Sequence, residues 1–234
     1  MRETITDAAL LIGAAVVRAV ILNRTVAAIA VPIIAAVILA AGSSRRFGHD
    51  NKLAATIDGR SLLARTVDAA LASQVTSVIV VVSPTSQSLL DEFAPADVVC
   101  VINDDLVAGM SRSLELGLQI LPDTVDGAVI LLADMPFVSA RIIDTLVAGF
   151  AREQAGVIVV PVSHGRRGNP VLWPARYFED IKGLSGDRGA RALLGVHAEH
   201  VCEVDIDDEA IFIDVDTREI LGVVRERAGP WPGA

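Results

Sequence analysis

Aromatic residues are scarce in this chain, at 4% of 234 positions, so any core must be built from aliphatic side chains. Cysteine is nearly absent. Cys100 and Cys202 are too few and too far apart for a disulfide framework or a cysteine zinc site. Both stand in apolar, strand-like runs and read as buried small hydrophobes. Positive charge is also in deficit, with a formal net charge of −9. That balance argues against nucleic acid as a partner, because a phosphate backbone needs a basic face. No internal repeat and no low-complexity linker is present.

What remains is rich in Val, Ile, Leu and Ala. Hydrophobic residues make up 52% and charged residues 21%, enough for a large core. Short apolar runs alternate with helix-like stretches, the pattern of parallel βαβ units in an open sheet. Strands are expected at 35–40, 77–82, 98–102, 128–132 and 157–161. Ser61 is placed to cap a helix running to about Ala72, with Leu62, Leu63, Val67, Ala70 and Leu71 on one face. Ser83-Pro84 stops the second strand, and a short helix through Leu89, Leu90 and Phe93 follows. Ser139 is placed to cap another helix.

The first 32 residues fit less easily. Ala8–Leu22 is apolar except for Arg18, and Val26–Val31 adds a second apolar run. Neither reaches the 20 or so residues of a membrane span. Glu3 and Asp7 near the start are unlike a secretory signal. The expected division is an apolar, helical extension over 1–32 and one domain over 33–234. Three readings of the extension stay open: a helix packed on the body or a partner, a membrane-associated helix, or an over-long start.

The most informative stretch is ILAAGSSRRFGHDNKL, residues 38–53. A buried strand runs into a loop bracketed by Gly42 and Gly48. Glycines let backbone N–H groups approach an anion, and Arg45, Arg46 and Lys52 bring cations to the same place. The spacing is neither a Walker A loop nor the dinucleotide fingerprint. An ordinary strand–turn–helix connection with surface arginines would have the same composition.

Five further segments carry chemistry-bearing residues. Gly109-Met110-Ser111-Arg112-Ser113 precedes a helix with Leu114, Leu118 and Leu121, and Ser111 is placed as its N-cap. Asp134 follows an apolar strand in LLADMP, where open α/β sheets place ligands, although it could also be a plain turn former. HGRRGNPVLW places Arg166 and Arg167 on a loop, with Asn169 after them. LSGDRGARALL offers a helix start at Ser185 or Asp187, with Arg188 and Arg191 on one face. In IFIDVDT, Asp214 and Asp216 alternate on an expected strand and would share a face. His197 and His200 read as structural or solvated. The tail after Leu221 reads as short and frayed.

Leu39, Ala40, Ala41, Gly42, Ser44, Arg46, Gly48 and Lys52 together resemble the first signature of the MobA-like nucleotidyltransferases. Asp134-Met135-Pro136 and the Ser185–Arg191 stretch resemble later motifs of that family. The resemblance spans about residues 34–221. It implies a three-layer α/β/α fold with a mostly parallel central sheet, of the nucleotide-diphospho-sugar transferase, Rossmann-like kind. It implies an enzyme that joins a nucleoside triphosphate to a phosphorylated acceptor in the cytoplasm and releases pyrophosphate. Leu39–Gly42, Ser44, Arg46, Lys52, Gly109, Ser111 and Ser113 would hold the nucleotide. Asp134 and Asp216, with Asp214 as second choice, would hold Mg²⁺. Arg46, Lys52 and Asp134 would carry catalysis. Arg167, Asn169, Ser185, Asp187 and Arg191 would face the acceptor, although Asn169 stands where the family often has His.

The first loop reads LAAG where the guanylyltransferase branch has LAGG, and Gly109-Met110-Ser111 stands where that branch has Gly-Pro-Leu. Both departures resemble the molybdenum cofactor cytidylyltransferases, which use CTP and a molybdopterin-type acceptor. A molybdoenzyme or its maturation chaperone would then be a partner, and the N-terminal extension could join copies into a homo-oligomer. Rival readings are a GTP-dependent, sugar-phosphate or phosphocholine transferase of the same fold, and an NAD(P)H-dependent oxidoreductase of the nicotine-blue type.

Overall fold

β1 (Ile34–Ala40) is the centre of the molecule. It pairs in parallel on one side with β4 (Ser77–Val82) and on the other with β6 (Gly127–Leu132). The computed structural model describes residues 31–42, 47, 51–92, 98–153 and 156–227. The expected extension over 1–32 lies outside them except for Val31 and Pro32, and so do Ser44, Arg45, Arg46, Gly48 and Phe93.

The remaining strands follow in chain order. β2 (Thr56–Ile57) and β3 (Arg60–Ser61) form a small antiparallel pair. β5 (Val99–Ile102), β7 (Ile158–Ser163), β8 (Arg166–Arg167), β9 (Val171–Pro174) and β10 (Val201–Asp205) complete the main sheet. Its order is β10-β7-β9-β6-β1-β4-β5, with β8 paired to β7. The sheet is mostly parallel, but β9 runs antiparallel between β6 and β7. Its link to β7 spans only residues 164–170, too short for a parallel crossover.

Helices cover both faces, giving the three-layer α/β/α fold. α1 (Leu62–Leu71) and α3 (Ala140–Arg152) pack on the face formed by Ile34, Ala36 and Ile38. α2 (Met110–Gln119) and α4 (Phe178–Lys182) pack on the face formed by Ala35 and Val37. The side-chain alternation of β1 thus feeds two separate cores. A third cluster joins Phe47, Ile57 and Leu62 to Val215, Leu221 and Val224. The last two belong to α5 (Arg218–Arg227), so the expected frayed tail is a packed helix as far as Arg227. Leu221 and Val224 face this cluster, and Arg225 Nε donates to the Thr56 carbonyl at 2.8 Å.

The caps at Ser61 and Ser139 form, accepting from the Ala64 and Ile142 amides. Cys100 and Cys202 differ from expectation. Cys100 is exposed and Cys202 half-buried, because β5 and β10 are the two edges of the sheet. An apolar run does not tell an edge strand from a central one. No helix among the described residues is long and apolar enough to cross a membrane.

Arg65 on α1 is a buried guanidinium with a structural task. Its Nε donates to the Pro136 carbonyl and its Nη1 to the Ile57 carbonyl, both at 3.3 Å. Burial lowers its pKa, partly opposed by the charges of Asp58 and Asp68. It ties the turn after β6 to the β2–β3 hairpin. Arg65→Met leaves both carbonyls short of a donor and should lower stability by about 2–3 kcal/mol, read as a fall in denaturation midpoint.

Candidate active site

The chain leaves β1 for β4 on one side and reaches β6 on the other, so the carboxyl end of β1 is a topological switch point. Leu39 pairs with Leu132, and the Ala133 amide donates to the Leu39 carbonyl at 3.1 Å. The loop after β1 and Asp134 after β6 therefore emerge side by side.

Lys52 reaches the same point from a short 3₁₀ turn, Lys52–Ala54. Asn51 caps that turn by accepting from the Leu53 amide, and its own amide donates to Ser86 Oγ at 2.8 Å. Leu53 is buried beneath. Lys52 Nζ donates to Asp134 Oδ2 at 2.7 Å and to Asp216 Oδ1 at 2.9 Å. Burial alone would lower the Lys52 pKa, but the charges and hydrogen bonds of the two aspartates outweigh it and raise it. Asp134 Oδ1 is buried and has no hydrogen-bond partner among the described residues.

Asp214 and Asp216 do not lie on a strand. Residues 209–212 form a 3₁₀ turn, and 213–216 have no regular structure and lie outside the sheet. The Val215 amide donates to the Asp134 carbonyl at 2.8 Å while its side chain is fully buried. This anchor leaves the two flanking carboxylates close together, as the alternation required. Burial first, then the hydrogen bond and charge of Asp216 and the charge of Asp134, raise the Asp214 pKa.

Two clefts meet at Asp134. The first, of about 240 Å³, is lined by Leu39, Ala41, Gly42, Gly109, Ser113 and Asp134, with Asn103, Met110 and Asp187 also contributing. The second, of about 550 Å³, is lined by Arg166, Arg167, Asn169, Arg191, Asp214 and Asp216, again with Asp134. Arg167 Nε is bonded to Glu203 at 2.6 Å, and the Arg167 carbonyl accepts from Arg191 at 3.0 Å. Arg166 stacks over the Phe212 ring at 4.6 Å.

Several expected residues stand differently. Ala40 points into the core and lines neither cleft. Ser111 is inside α2, which starts at Met110 with Gly109 at its N-cap position. The Ser111 amide donates to the Gly186 carbonyl and its Oγ to the Ala108 carbonyl. The backbone of another loop has taken the capping role expected of a side chain. Ser185 is exposed and outside both walls, and no α-helix begins there; the segment has only a 3₁₀ turn at Ala190–Leu193. Asp187 lines the first cleft and not the second. Ser44 and Arg46 fall outside the described residues.

Asn103 was not anticipated. It is buried, donates to Ser113 Oγ at 2.9 Å and accepts from the Asp105 amide. Its position just past β5, at the same sheet edge as Asp134, was the available signal.

Gly109 is tightly constrained. Its φ is +78°, and a Cβ there would come within 2.6 Å of the Gly186 backbone and the Asp187 carboxylate. Gly109→Ala should cost about 1–3 kcal/mol in a denaturant melt, since both the dihedral and the approach require glycine.

With this geometry in place, comparison with known proteins is decisive. The MobA-like NTP transferase domain matches residues 36–201. The chain belongs to that family. It is 34% identical over 208 residues to the purine catabolism protein PucB of Bacillus subtilis, covering 83% of this chain and 97% of the relative. It is 26% identical over 193 residues to the nicotine blue oxidoreductase of Paenarthrobacter nicotinovorans, covering 80% and 94%. A protein of Pyrococcus horikoshii named probable molybdenum cofactor guanylyltransferase is 28% identical over 202 residues, covering 81% and 97%. The crystal structure of an rv0371c homolog from Mycobacterium sp. strain JC1 superposes with a TM-score of 0.72 at 27% identity, covering 83% and 96%. The family is one of nucleotidyltransferases, which bind a nucleoside triphosphate and a small-molecule acceptor.

Proposed function

We propose that this MobA-like enzyme transfers CMP from CTP to the terminal phosphate of a molybdopterin-type cofactor and releases pyrophosphate. The observation that carries this reading is the placement of Lys52 between Asp134 and Asp216, where two clefts meet. An acceptor-phosphate oxygen attacks the α-phosphorus of CTP. A new P–O–P link forms, the bond to the β-phosphate oxygen breaks, and pyrophosphate leaves. No nucleophilic side chain is needed; positioning and charge stabilisation are the protein's contribution.

The first cleft takes the nucleotide. Leu39, Ala41, Gly42, Gly109 and Ser113 close around the base and sugar, and among the described residues Lys52 is the cation for the phosphates. LAAG and Gly109-Met110-Ser111 support cytosine over guanine, because both match the cytidylyltransferase branch. The second cleft takes the acceptor, with Arg166, Arg167 and Arg191 as cations for its phosphate. Asp134 and Asp216 would hold Mg²⁺ or a similar divalent ion. The chemistry of the pair supports this: two hard carboxylates meet on Lys52 Nζ, and Asp134 Oδ1 is buried without a partner among the described residues, although those residues gather no third such ligand into a metal-holding group. When bound, such an ion neutralises charge on the triphosphate and the departing pyrophosphate. Both substrates are soluble metabolites, consistent with reaction in the cytoplasm.

A thermal-shift series with CTP, GTP, ATP, UTP and NADPH, each with and without Mg²⁺, tests this. A Mg²⁺-dependent shift with CTP is the expected result, worth about 2.7 kcal/mol at 100 times the dissociation constant. A shift with GTP instead keeps the chemistry and overturns the base. A response to NADPH and no triphosphate overturns the transferase reading in favour of a redox role.

A further inference from the structure

Two buried hydroxyls beside the site have no part in the chemistry above. Ser83 and Ser86 lie just past the carboxyl end of β4, and both are buried. Their Oγ atoms are 3.0 Å apart, and Ser83 Oγ is 2.9 Å from Thr85 Oγ1. The Ser86 amide donates to the Ser83 carbonyl at 2.9 Å, which closes the corner. Taking two hydroxyls out of water costs free energy that a pair of alanines would avoid. Packing alone therefore does not call for serine at both positions.

What the pair supplies is an acceptor. Asn51 Nδ2 donates to Ser86 Oγ at 2.8 Å, while Asn51 Oδ1 accepts from the Leu53 amide at 3.0 Å. One side chain grips the Lys52 turn and a corner of the sheet at once. The turn needs such a grip. It is three residues of 3₁₀ helix, a form with poor hydrogen-bond geometry, and it carries a long, flexible lysine. Its far end is held separately, by the Leu62 amide donating to the Ala55 carbonyl at 2.9 Å. The corner that ties its near end is also a reference point for the first cleft. Val82, the last residue of β4, pairs with Ala40 of β1, and its carbonyl accepts from the Asn103 amide at 2.8 Å. Asn103 lines the first cleft. Lys52 and a wall of that cleft are therefore set from one strand end.

We propose that Asn51 and Ser86 are positioning residues for Lys52, with Ser83 holding the Ser86 hydroxyl in place. This brace acts through the turn and touches no substrate. It keeps Lys52 Nζ within reach of both Asp134 Oδ2 and Asp216 Oδ1. The placement of Lys52 is measurable without any substrate. The consequence for a bound triphosphate rests on the transferase reading.

Lys52 and Lys182 are the two lysines of the chain. Competitive acylation with acetic anhydride, read peptide by peptide by mass spectrometry, compares Lys52 with a reference on α4. Ser86→Ala removes the tie and leaves the cap; Asn51→Ala removes both. Each variant should stay folded by circular dichroism and raise the Lys52-to-Lys182 labelling ratio, by about fivefold for one lost hydrogen bond. An unchanged ratio in both variants overturns the proposal. So does an equal rise at both lysines, which reports general loosening. Calorimetry with CTP and Mg²⁺ gives the second readout. Ser86→Ala should weaken binding about fivefold in the otherwise unaltered chain and have no effect in Lys52→Met protein, because the brace works only through Lys52. An equal loss in both backgrounds overturns the proposal. If no triphosphate binds the unaltered chain, the transferase reading falls and the labelling ratio alone decides.

Discussion

Asp134→Asn should yield a folded protein that releases pyrophosphate about a thousandfold more slowly, or not at all. The change is isosteric and removes one negative charge where three carboxylates converge. Asp134 contributes to the fold through its carbonyl, which accepts from the Val215 amide, and asparagine keeps that bond. The denaturation midpoint should therefore stay within a few degrees. Turnover depends on the side chain. Its Oδ2 accepts from Lys52, and its buried Oδ1, without a partner among the described residues, is the atom that the proposed cation would take. Groups that stabilise developing charge in a water-poor site are each worth about two to three powers of ten, and more when they also hold a metal. Steady-state pyrophosphate release reads the effect. Normal turnover with Mg²⁺ would show that the cation is held elsewhere.

Lys52→Met should be both slow and unstable, and the two effects should separate. Methionine roughly matches the stem but carries no charge. Asp134 and Asp216 lose the ammonium they share at 2.7 and 2.9 Å. Removing one partner of a partly buried charge cluster leaves the others uncompensated, costing about 2–3 kcal/mol here. The variant should melt early in chelator-treated buffer. Added Mg²⁺ or Mn²⁺ should restore much of that stability, because a divalent ion compensates the same carboxylates. Turnover should stay down by about a hundredfold or more, since no cation then reaches the phosphates from this turn. A melt indifferent to divalent ions in this variant would mean that the carboxylates are not a cation site. Lys52 is one of only two lysines in the chain, which adds weight to its position.

Much of this arrangement was legible in residue order. The central strands follow from unbroken Val, Ile, Leu and Ala runs, and the caps at Ser61 and Ser139 from hydroxyls placed before apolar periodicity. Asp134 follows from its place after a buried strand. These are local features, carried by a few neighbouring residues, so one sequence is enough to show them.

Contacts between distant segments decided several other features. Asp214 and Asp216 converge because the Val215 amide finds the Asp134 carbonyl, some eighty residues away, and not because of a strand. Ser111 lost the capping role to the Gly186 carbonyl, and the same contact carries Asp187 to the first cleft. Cys100 is exposed because β5 is an edge, a property of strand order alone.

By itself, then, the sequence determined an aliphatic α/β sandwich, a glycine loop after its first strand and a carboxylate after its fourth long one. Only the tertiary structure decided which carboxylates share Lys52 and which loop closes over α2. The physical reason is that strand order and loop-to-loop contact depend on how distant segments pack, and no short window of residues encodes that.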